Sequence, residues 1–262
     1  MSSLLGVYTI WYRDLLRFWR DKMRMLGSII FPLLFLFVFG SGLSSRMGGL
    51  GPGIDFTQFM FPGVIGMTVL MTSFMAGISV VWDREFGFLK EVLVAPINRA
   101  SVAIGKTLGA ATVALIQGMV ILIFAPVIGV SLSAWTILKL IPLMFLLAAA
   151  LGSFGVLLAT RIKSMEAFQV VTQMLMFPMV FLSGVFFPLQ GLPMWMNVLV
   201  KINPATYGID PIRQVMLATP AQSSFTITLF GYQLSLWHEI GILAIFGAAM
   251  LFLAMWSFSN QD

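Results

Sequence analysis

Residues 59–81 have the sequence FMFPGVIGMTVLMTSFMAGISVV and carry no charge, and residues 82–96 continue as WDREFGFLKEVLVAP. A second uncharged stretch follows at 107–138. A helix needs about 20 apolar residues to cross a bilayer, and charged groups of either sign are costly inside it. The pattern therefore predicts two membrane-spanning helices joined by a short charged loop that lies in water.

The composition extends this prediction to the whole chain of 262 residues. Hydrophobic residues make up 59% and charged residues 10%, whereas soluble proteins average about 45–50% and about 25%. The apolar stretches are apolar on every face, which favours helices over the short alternating strands of a membrane β-barrel. We predict one all-α integral membrane domain over residues 1–262. Six transmembrane helices are expected, at 25–43, 59–82, 103–129, 137–160, 167–187 and 237–258.

The Lys and Arg residues predict the orientation of these spans, because short loops rich in them face the cytoplasm. One side collects eleven of the fifteen: Arg13, Arg17, Arg20, Lys22, Arg24, Arg84, Lys90, Arg99, Lys106, Arg161 and Lys163. The other side has Arg46, Lys139, Lys201 and Arg213. The first side is therefore expected to be cytoplasmic. Both termini of this multi-pass protein of the cell's inner membrane would then lie in the cytoplasm.

Residues 1–24 form an amphipathic arm. Leu, Tyr and Trp side chains interleave at helical spacing with basic ones, and the residues singled out are Arg13, Arg17, Trp19 and Arg20. Such a helix lies along the headgroup layer with its rings buried and its arginines on lipid phosphates. The alternative interpretation is a basic segment that only orients the first span.

The residues needed for chemistry are scarce in this chain. It has no cysteine and one histidine, so we expect no disulfide, no metal site and no catalytic centre. Residues 26–43, 59–81, 107–138 and 167–200 contain no Asp, Glu, Lys, Arg or His, whereas proton-coupled carriers place such groups near the middle of the membrane. A carrier that binds Na⁺ through carbonyl oxygens stays open. If the chain moves a solute, another subunit is expected to supply the energy.

Residues 100–107, ASVAIGKT, match a phosphate-binding loop with alanine in place of its first glycine. A working loop of this kind follows a strand and opens a helix beside a parallel sheet, and this segment instead leads into a span. We therefore interpret Gly105 and Gly109 as a GxxxG pair for close helix packing. Lys106 is expected to extend to the cytoplasmic headgroups.

Mildly polar residues lie inside the predicted spans: Thr68, Thr72, Ser73, Gln117, Ser153, Gln169, Thr172, Gln173 and Ser183. Hydrogen bonds between helices explain most such residues in membrane proteins. Gln169, Thr172 and Gln173 fall on one helical face. They are candidates for a solute pathway or for a contact between two copies of the chain.

Residues 188–236 form the longest connection and contain five prolines. Two short helices are predicted there, at 194–200 and 210–217, both too short to cross a membrane. We expect them to be re-entrant or interfacial on the outer side. The residues singled out in this region are Trp195, Asn203, Pro204, Tyr207, Asp210 and Arg213.

The loop at 82–96 resembles the cytoplasmic loop of ABC exporter permeases of the second type, a family of drug, lipo-oligosaccharide and polysaccharide exporters. Arg99, Gly105 and Lys106 also fit the family pattern, as do residues 182–184 (LSG), 187–188 (FP) and 203–213. The similarity covers essentially the whole chain. It looks closer to the daunorubicin-type drug exporters and the lipo-oligosaccharide exporters than to the polysaccharide exporters.

This resemblance implies a homodimeric permease that moves an amphipathic drug-like or lipid-linked substrate out of the cytoplasm. Two copies of a separate ABC ATPase, which binds ATP and Mg²⁺, would dock on a coupling helix in the cytoplasmic loop at 83–102. The residues expected to couple to the ATPase are Asp83, Arg84, Glu85, Phe86, Gly87, Lys90, Glu91 and Pro96. The chain itself would be no enzyme, would bind no cofactor and no nucleic acid, and would contact membrane lipids.

The same resemblance makes residues 1–24 an elbow helix along the membrane and the short outer helices a cap on the pathway. Two alternatives to a drug exporter stay open. One is a polysaccharide or lipo-oligosaccharide exporter permease, and the other is a non-transporting membrane scaffold.

Overall fold

The computed structural model describes residues 3–47, 55–86, 98–189, 191–217, 228–229 and 232–259. Within these ranges the chain is almost entirely α-helical, as predicted. Helices α1 to α5 span Ser3–Arg20, Lys22–Met47, Phe56–Phe74, Ala76–Glu85 and Arg99–Leu122. Helices α6 to α10 span Ala134–Arg161, Met165–Phe181, Met194–Ile202, Thr206–Leu217 and Leu236–Ser259. A 3-10 helix at Ala125–Ile128 and a short antiparallel pair, β1 Thr228–Leu229 and β2 Tyr232–Gln233, complete the described secondary structure.

Five helical segments among the described residues are long and apolar enough to cross a membrane: Met25–Gly42, Phe56–Glu85, Arg99–Leu122, Ala134–Arg161 and Leu236–Ser259. The second of them consists of α3 and α4, which the single turn residue Met75 separates. Helix α7, where the span at 167–187 was predicted, is apolar but has 17 residues. That length is at the short end of the range of about 17–25 residues for a spanning helix.

Two predicted spans extend past the helices that the structure contains. The α-helix in the span predicted at 103–129 ends at Leu122, and a 3-10 helix follows in which Pro126 has no N–H to donate. In the span predicted at 167–187 the helix ends at Phe181, and Gly184 then adopts a φ of +78°. That left-handed conformation suits glycine and turns the chain out of the helix.

Short polar side chains fix where four of the helices begin. A side-chain oxygen of Asp55, Asn98, Ser133 and Ser164 accepts a hydrogen bond from a backbone N–H in the first turn of α3, α5, α6 and α7 respectively. Such N–H groups have no partner inside the helix itself. Capping them is worth about 0.5–2 kcal/mol per helix.

Helix α3 forms the centre of the bundle. Phe59, Phe61 and Leu70 are fully buried, because α3 packs against α2, α5, α6 and α9. By contrast, most residues of the spans in α2 and α10 are not buried. The hydrophobic core therefore lies around α3, and α2 and α10 leave apolar surface for lipid or for another protein.

Helices α4 and α6 approach so closely that side chains are excluded between them. A Cβ atom added at Gly77 would lie 2.3 Å from the carbonyl oxygen of Gly155, and one added at Gly155 would lie 2.3 Å from the carbonyl oxygen of Phe74. Both obstacles are backbone atoms, which cannot swing aside as a flexible side chain does. The junction of α3 and α4 is thus held against α6 by backbone contact.

This contact predicts opposite effects for the same substitution at two helical glycines. Gly155→Ala should destabilise the purified protein by about 1–3 kcal/mol, because the methyl group overpacks the crossing. Gly241→Ala should be neutral or stabilising by up to about 1 kcal/mol, as expected for alanine in a helix, because no atom of the described part of the chain lies within 4 Å of a Cβ added there. Thermal unfolding in detergent measures both. Equal midpoints for the two variants would contradict the close approach.

Candidate functional site

Four charged side chains meet at the predicted cytoplasmic end of the bundle: Arg13, Asp14, Asp83 and Lys106, here called the charge cluster. The Nζ of Lys106 lies 2.9 Å from Oδ2 of Asp83 and 3.2 Å from Oδ1 of Asp14. It also donates a hydrogen bond to the hydroxyl of Ser79 at 2.9 Å. The Nη2 of Arg13 lies 2.6 Å from the same oxygen of Asp83. Two cations and two carboxylates balance in this cluster.

Burial makes these ion pairs structurally important. The side chain of Lys106 is 2% exposed and that of Asp83 is 9% exposed. An exposed ion pair contributes about 0–1 kcal/mol, whereas removing one member of a buried pair costs about 3–5 kcal/mol because the other charge is left without a partner. The cluster therefore holds α1, the end of α4 and the start of α5 in one arrangement.

Helix α1 is placed over this cluster by Gly105 and Gly109 of α5. A Cβ added at Gly105 would lie 2.9 Å from the Cβ of Ile10, and one added at Gly109 would lie 3.1 Å from the Cβ of Asp14. The prediction that these glycines permit close helix packing is thereby confirmed. The prediction that Lys106 extends to the headgroups is wrong, because α1 covers its side chain and supplies a carboxylate.

Arg84 binds the end of another span. Its guanidinium donates hydrogen bonds to the carbonyl oxygens of Ala159, Thr160 and Ile162 at 3.2, 3.2 and 3.0 Å. These carbonyls lie at the C-terminus of α6, where helical carbonyl groups lack partners and a cation is favourable. Arg84 thus caps α6. The expected role of Arg84 in coupling to an ATPase stays a prediction.

The predicted coupling residues fall into three groups. Asp83 and Arg84 belong to the last turn of α4 and make the internal contacts described above, so α4 rather than a separate helix contains them. Glu85 and Phe86 are exposed, and the ring of Phe86 lies 5.2 Å from that of Trp82. Gly87, Lys90, Glu91 and Pro96 lie outside the described residues, and so does most of the coupling helix expected there.

The four elbow residues divide between two sides of α1. Arg13 belongs to the charge cluster, and the guanidinium carbon of Arg17 lies 5.3 Å from the ring centroid of Trp82 on α4. Trp19 and Arg20 are exposed. One side of α1 therefore fixes the helix to the bundle, and the other side is open to solvent or lipid.

The three candidate pathway residues on α7 do not share one exposed surface. Gln169 and Gln173 are exposed, whereas Thr172 is fully buried and its hydroxyl has no hydrogen-bond partner among the described residues. Neighbouring exposed side chains on α7 are apolar, among them Val170, Met174 and Phe177. The two glutamines lie one helical turn apart. They therefore form a polar strip on an otherwise apolar exposed face.

Polar residues inside the spans bond in two ways. Gln117 on α5 accepts a hydrogen bond from Thr72 on α3 and donates one to Ser28 on α2 at 2.6 Å. Thr68 and Ser153, by contrast, donate to carbonyl oxygens of their own helices. Bonding between helices, which we expected for most of these residues, therefore holds for the Thr72–Gln117 pair but not for Thr68 or Ser153.

At the opposite end of the bundle, α8 and α9 follow one another closely. The side chain of Asn203 donates to the carbonyl oxygen of Met179 at 2.8 Å, and the hydroxyl of Tyr207 donates to the carbonyl oxygen of Lys201 at 2.6 Å. Pro204 lies in the turn between the two helices, and Trp195 is exposed on α8. The predicted short helices exist, and Asn203 ties their junction to the end of α7.

Arg213 and Asp210 on α9 lie in a second buried group of charges. Arg213 is 2% exposed, lies with its guanidinium carbon 4.4 Å from the ring centroid of Phe59, and donates to the carbonyl oxygen of Gly184. Its Nη1 is 4.0 Å from Oδ1 of Asp210. Burial lowers the pKa of Arg213 to about 10, and the negative charge of Asp210 opposes that shift, so the side chain stays protonated at neutral pH.

Glu239 joins this second group and was missed by the sequence analysis. It is fully buried in the first turn of α10, and the side chain of Gln214 donates to both Asp210 and Glu239 at 3.3 Å. One signal in the sequence could have revealed it: Glu239 is an acid inside the span predicted at 237–258. An ionisable residue within a span is rarely without a partner. The outer helix α9 is thereby bound to α3, to α10 and to the segment after α7.

The family model of the ABC-2 type transporter matches residues 6–217. This chain belongs to the ABC-2 type transporter family. Members of this family are membrane subunits of transporters and pair with an ABC ATPase. The match includes most of α1, both buried charge groups except Glu239, and the outer helices α8 and α9.

Three relatives of this ABC-2 permease show how far the similarity extends. The putative transport permease ycf38 of Cyanophora paradoxa is 29% identical over 235 residues, which cover 87% of this chain and 80% of the relative. Nodulation protein J of Rhizobium leguminosarum bv. trifolii is 26% identical over 220 residues, covering 82% and 83%. The inner membrane transport permease YadH of Escherichia coli K12 is 27% identical over 216 residues, covering 80% and 82%.

The charge cluster of this permease predicts that mutations of its members have non-additive effects on the free energy of unfolding. Asp83→Asn should destabilise the protein by about 3–5 kcal/mol, because it leaves Lys106 buried without its nearer carboxylate. Lys106→Met should cost a similar amount. The double variant should be less destabilised than the sum of the two by at least about 1 kcal/mol, because neither charge remains. Thermal unfolding of the four proteins in detergent gives this cycle.

Glu85→Gln is the matched control for this cycle. It removes an acid two residues from Asp83 that is exposed, so it should change stability by less than about 0.5 kcal/mol. Additive effects of Asp83→Asn and Lys106→Met would mean that the two side chains are not coupled.

Proposed function

We propose that this chain is the membrane-spanning permease subunit of an ATP-driven ABC exporter. It works as a homodimer with two copies of a separate ATPase, which binds ATP and Mg²⁺. It moves an amphipathic drug-like or lipid-linked substrate out of the cytoplasm across the inner membrane. The observation that carries the proposal is that both ends of the loop at 83–102 are anchored to the bundle by buried charges.

This anchoring suits the loop for transmitting force. Asp83 at its start is bound to α1 and α5, and Arg84 is bound to the end of α6. Lys106, just after its end, is bound to α1 and α4. A displacement of the loop by an ATPase would therefore reach α1, α4, α5 and α6 together. A loop held only by its peptide links would move without shifting the spans.

The positions of the helix ends support six membrane crossings, in which α7 is added to the five helical segments that are long enough to span. The C-terminus of α4, the N-terminus of α5 and the C-terminus of α6 lie together at the charge cluster and the Arg84 cap. Three residues separate the end of α6 from the start of α7. The segment after α7 reaches Gly184, whose carbonyl oxygen binds Arg213 beside Phe59 at the opposite end of the bundle. With six crossings, both termini lie on the side of the charge cluster, which we propose is cytoplasmic.

A polysaccharide or lipo-oligosaccharide exporter permease is the second candidate. The observation that favours it is the similarity to Nodulation protein J over most of both chains. ATPase assays on the reconstituted complex of permease and ATPase decide between the two candidate functions, because a true substrate stimulates the ATPase activity. If no amphipathic drug and no lipid-linked sugar stimulates the ATPase activity of the complex, the result would favour a non-transporting scaffold.

Docking of the ATPase is tested by charge reversal in the loop. Glu85→Lys and Glu91→Lys should each lower the amount of ATPase that co-purifies with the permease by about tenfold, equivalent to about 1.4 kcal/mol. The reason is that an acid that meets a basic groove on the ATPase becomes repulsive on reversal. The measurement is quantitative co-purification from membranes.

Glu166→Lys serves as the matched control, because Glu166 is an exposed acid near the same end of the bundle but in α7. It should leave co-purification unchanged. Full ATPase recovery with both loop variants, at normal membrane insertion, would rule the loop out as the docking site.

The homodimer is tested through the exposed strip on α7. The chain contains no cysteine, so a single introduced cysteine gives an unambiguous cross-link. Gln173→Cys should form a disulfide-linked dimer in oxidised membranes, whereas Ile245→Cys, exposed on α10, should not. The readout is a dimer band on non-reducing gels that a reductant removes. Cross-linking through Ile245→Cys alone would place the dimer contact on α10 instead.

A further inference from the structure

We propose that this permease holds one phospholipid with a phosphoethanolamine headgroup in a slot lined by residues of α1 to α5. The slot is a cavity of about 340 Å³, within the range of about 300–1,000 Å³ of ligand-binding cavities in proteins. It differs in place from the loop that would meet the ATPase and from the exposed face of α7. The proposal therefore goes beyond the transport function and does not depend on it.

The mouth of the slot carries charges of both signs. Asp14, Arg17 and Asp21 line it together with Trp82, and Arg17 is held over the Trp82 ring at 5.3 Å. A guanidinium is suited to a phosphate, and a carboxylate is suited to a primary ammonium group. Phosphoethanolamine carries both of these groups next to each other. Because Asp14 already pairs with Lys106, Asp21 is the carboxylate assigned to the ammonium group.

The mouth also lies at the right depth for a headgroup. Helix α1 exposes Tyr8, Tyr12 and Trp19 beside its arginines, the pattern of a helix at the boundary between headgroups and acyl chains. Because Arg17 and Asp21 belong to or follow this helix, the charged mouth lies in the same layer. A lipid of the cytoplasmic leaflet reaches it without leaving the bilayer.

The interior of the slot suits an acyl chain. Its walls include Met71, Met75 and Val113, and methionine side chains adapt to irregular apolar ligands. Gly109 and Gln117 line it eight residues apart on α5, which corresponds to a length of about 12 Å along the helix. Gln117 at the inner end is already hydrogen-bonded, so an apolar chain beside it leaves no polar group without a partner.

Native mass spectrometry of the detergent-purified chain tests this proposal without any ATPase. Dioleoyl phosphatidylethanolamine should be retained about fivefold or more over dioleoyl phosphatidylcholine, whose trimethylated nitrogen cannot donate a hydrogen bond to a carboxylate. It should equally be preferred over dioleoyl phosphatidylglycerol, which has no ammonium group. The retained amount should approach one lipid per chain.

Variants locate the site. Arg17→Gln and Asp21→Asn should each reduce retention of phosphatidylethanolamine about fivefold, and Val113→Phe should reduce it further by filling the slot. Arg20→Gln is the matched control, because Arg20 lies on the same helix but does not line the slot, and it should have no effect. In addition, phosphatidylethanolamine should raise the unfolding midpoint of the unmodified chain but not that of Arg17→Gln.

Two results would overturn the proposal. The first is equal retention of the three lipids, and the second is an equal loss with Arg20→Gln and Arg17→Gln, which would indicate general attraction to α1. Because no ATPase takes part, each result bears on the lipid site and leaves the exporter proposal untouched.

Discussion

The pairing of Lys106 with two carboxylates is the interaction on which the predicted cytoplasmic end of this permease depends. The ammonium group is almost completely buried, so it requires Asp14 from α1 and Asp83 from α4. Those requirements fix where α1 lies, and α1 in turn forms one wall of the lipid slot. The arrangement of three separate chain segments thus follows from the desolvation of a single cation.

Buried charges are compensated in different ways at the two ends of the bundle. At one end, two cations and two carboxylates balance within the charge cluster. At the other, Arg213 is buried with Asp210 and Glu239, and carbonyl, amide and aromatic groups supply the remaining contacts. Between them, the spans are joined by apolar packing, the close glycine contact of α4 and α6, and the hydrogen bonds of Gln117. The charged groups therefore fix the ends, and shape complementarity fixes the middle.

Sequence reasoning recovered the helical class and the family because apolar runs and the charged loop are local signals. It did not recover the end of α5 at Leu122 or the end of α7 at Phe181. Both segments stay apolar past these residues, so the hydrophobic pattern does not show the effects of Pro126 and of the positive φ of Gly184. It also misplaced Lys106 and did not reveal that Arg84 caps α6, because their partners are separated from them by up to 92 residues in the chain. GxxxG spacing predicted the close approach at Gly105 and Gly109 correctly, but nothing in it indicated that α1 was the partner.

The order of the charge cluster along the chain has a consequence for biosynthesis. Arg13 and Asp14 leave the ribosome first, Asp83 follows, and Lys106 is the last member to be made. When Lys106 reaches the membrane boundary, both of its partner carboxylates have already been synthesised. Until then, Arg13 can neutralise part of the negative charge of Asp14 and Asp83. The ammonium group need never enter the bilayer alone. Insertion of α5 can therefore close the cluster during translation, as the step that commits the first half of the chain to its fold.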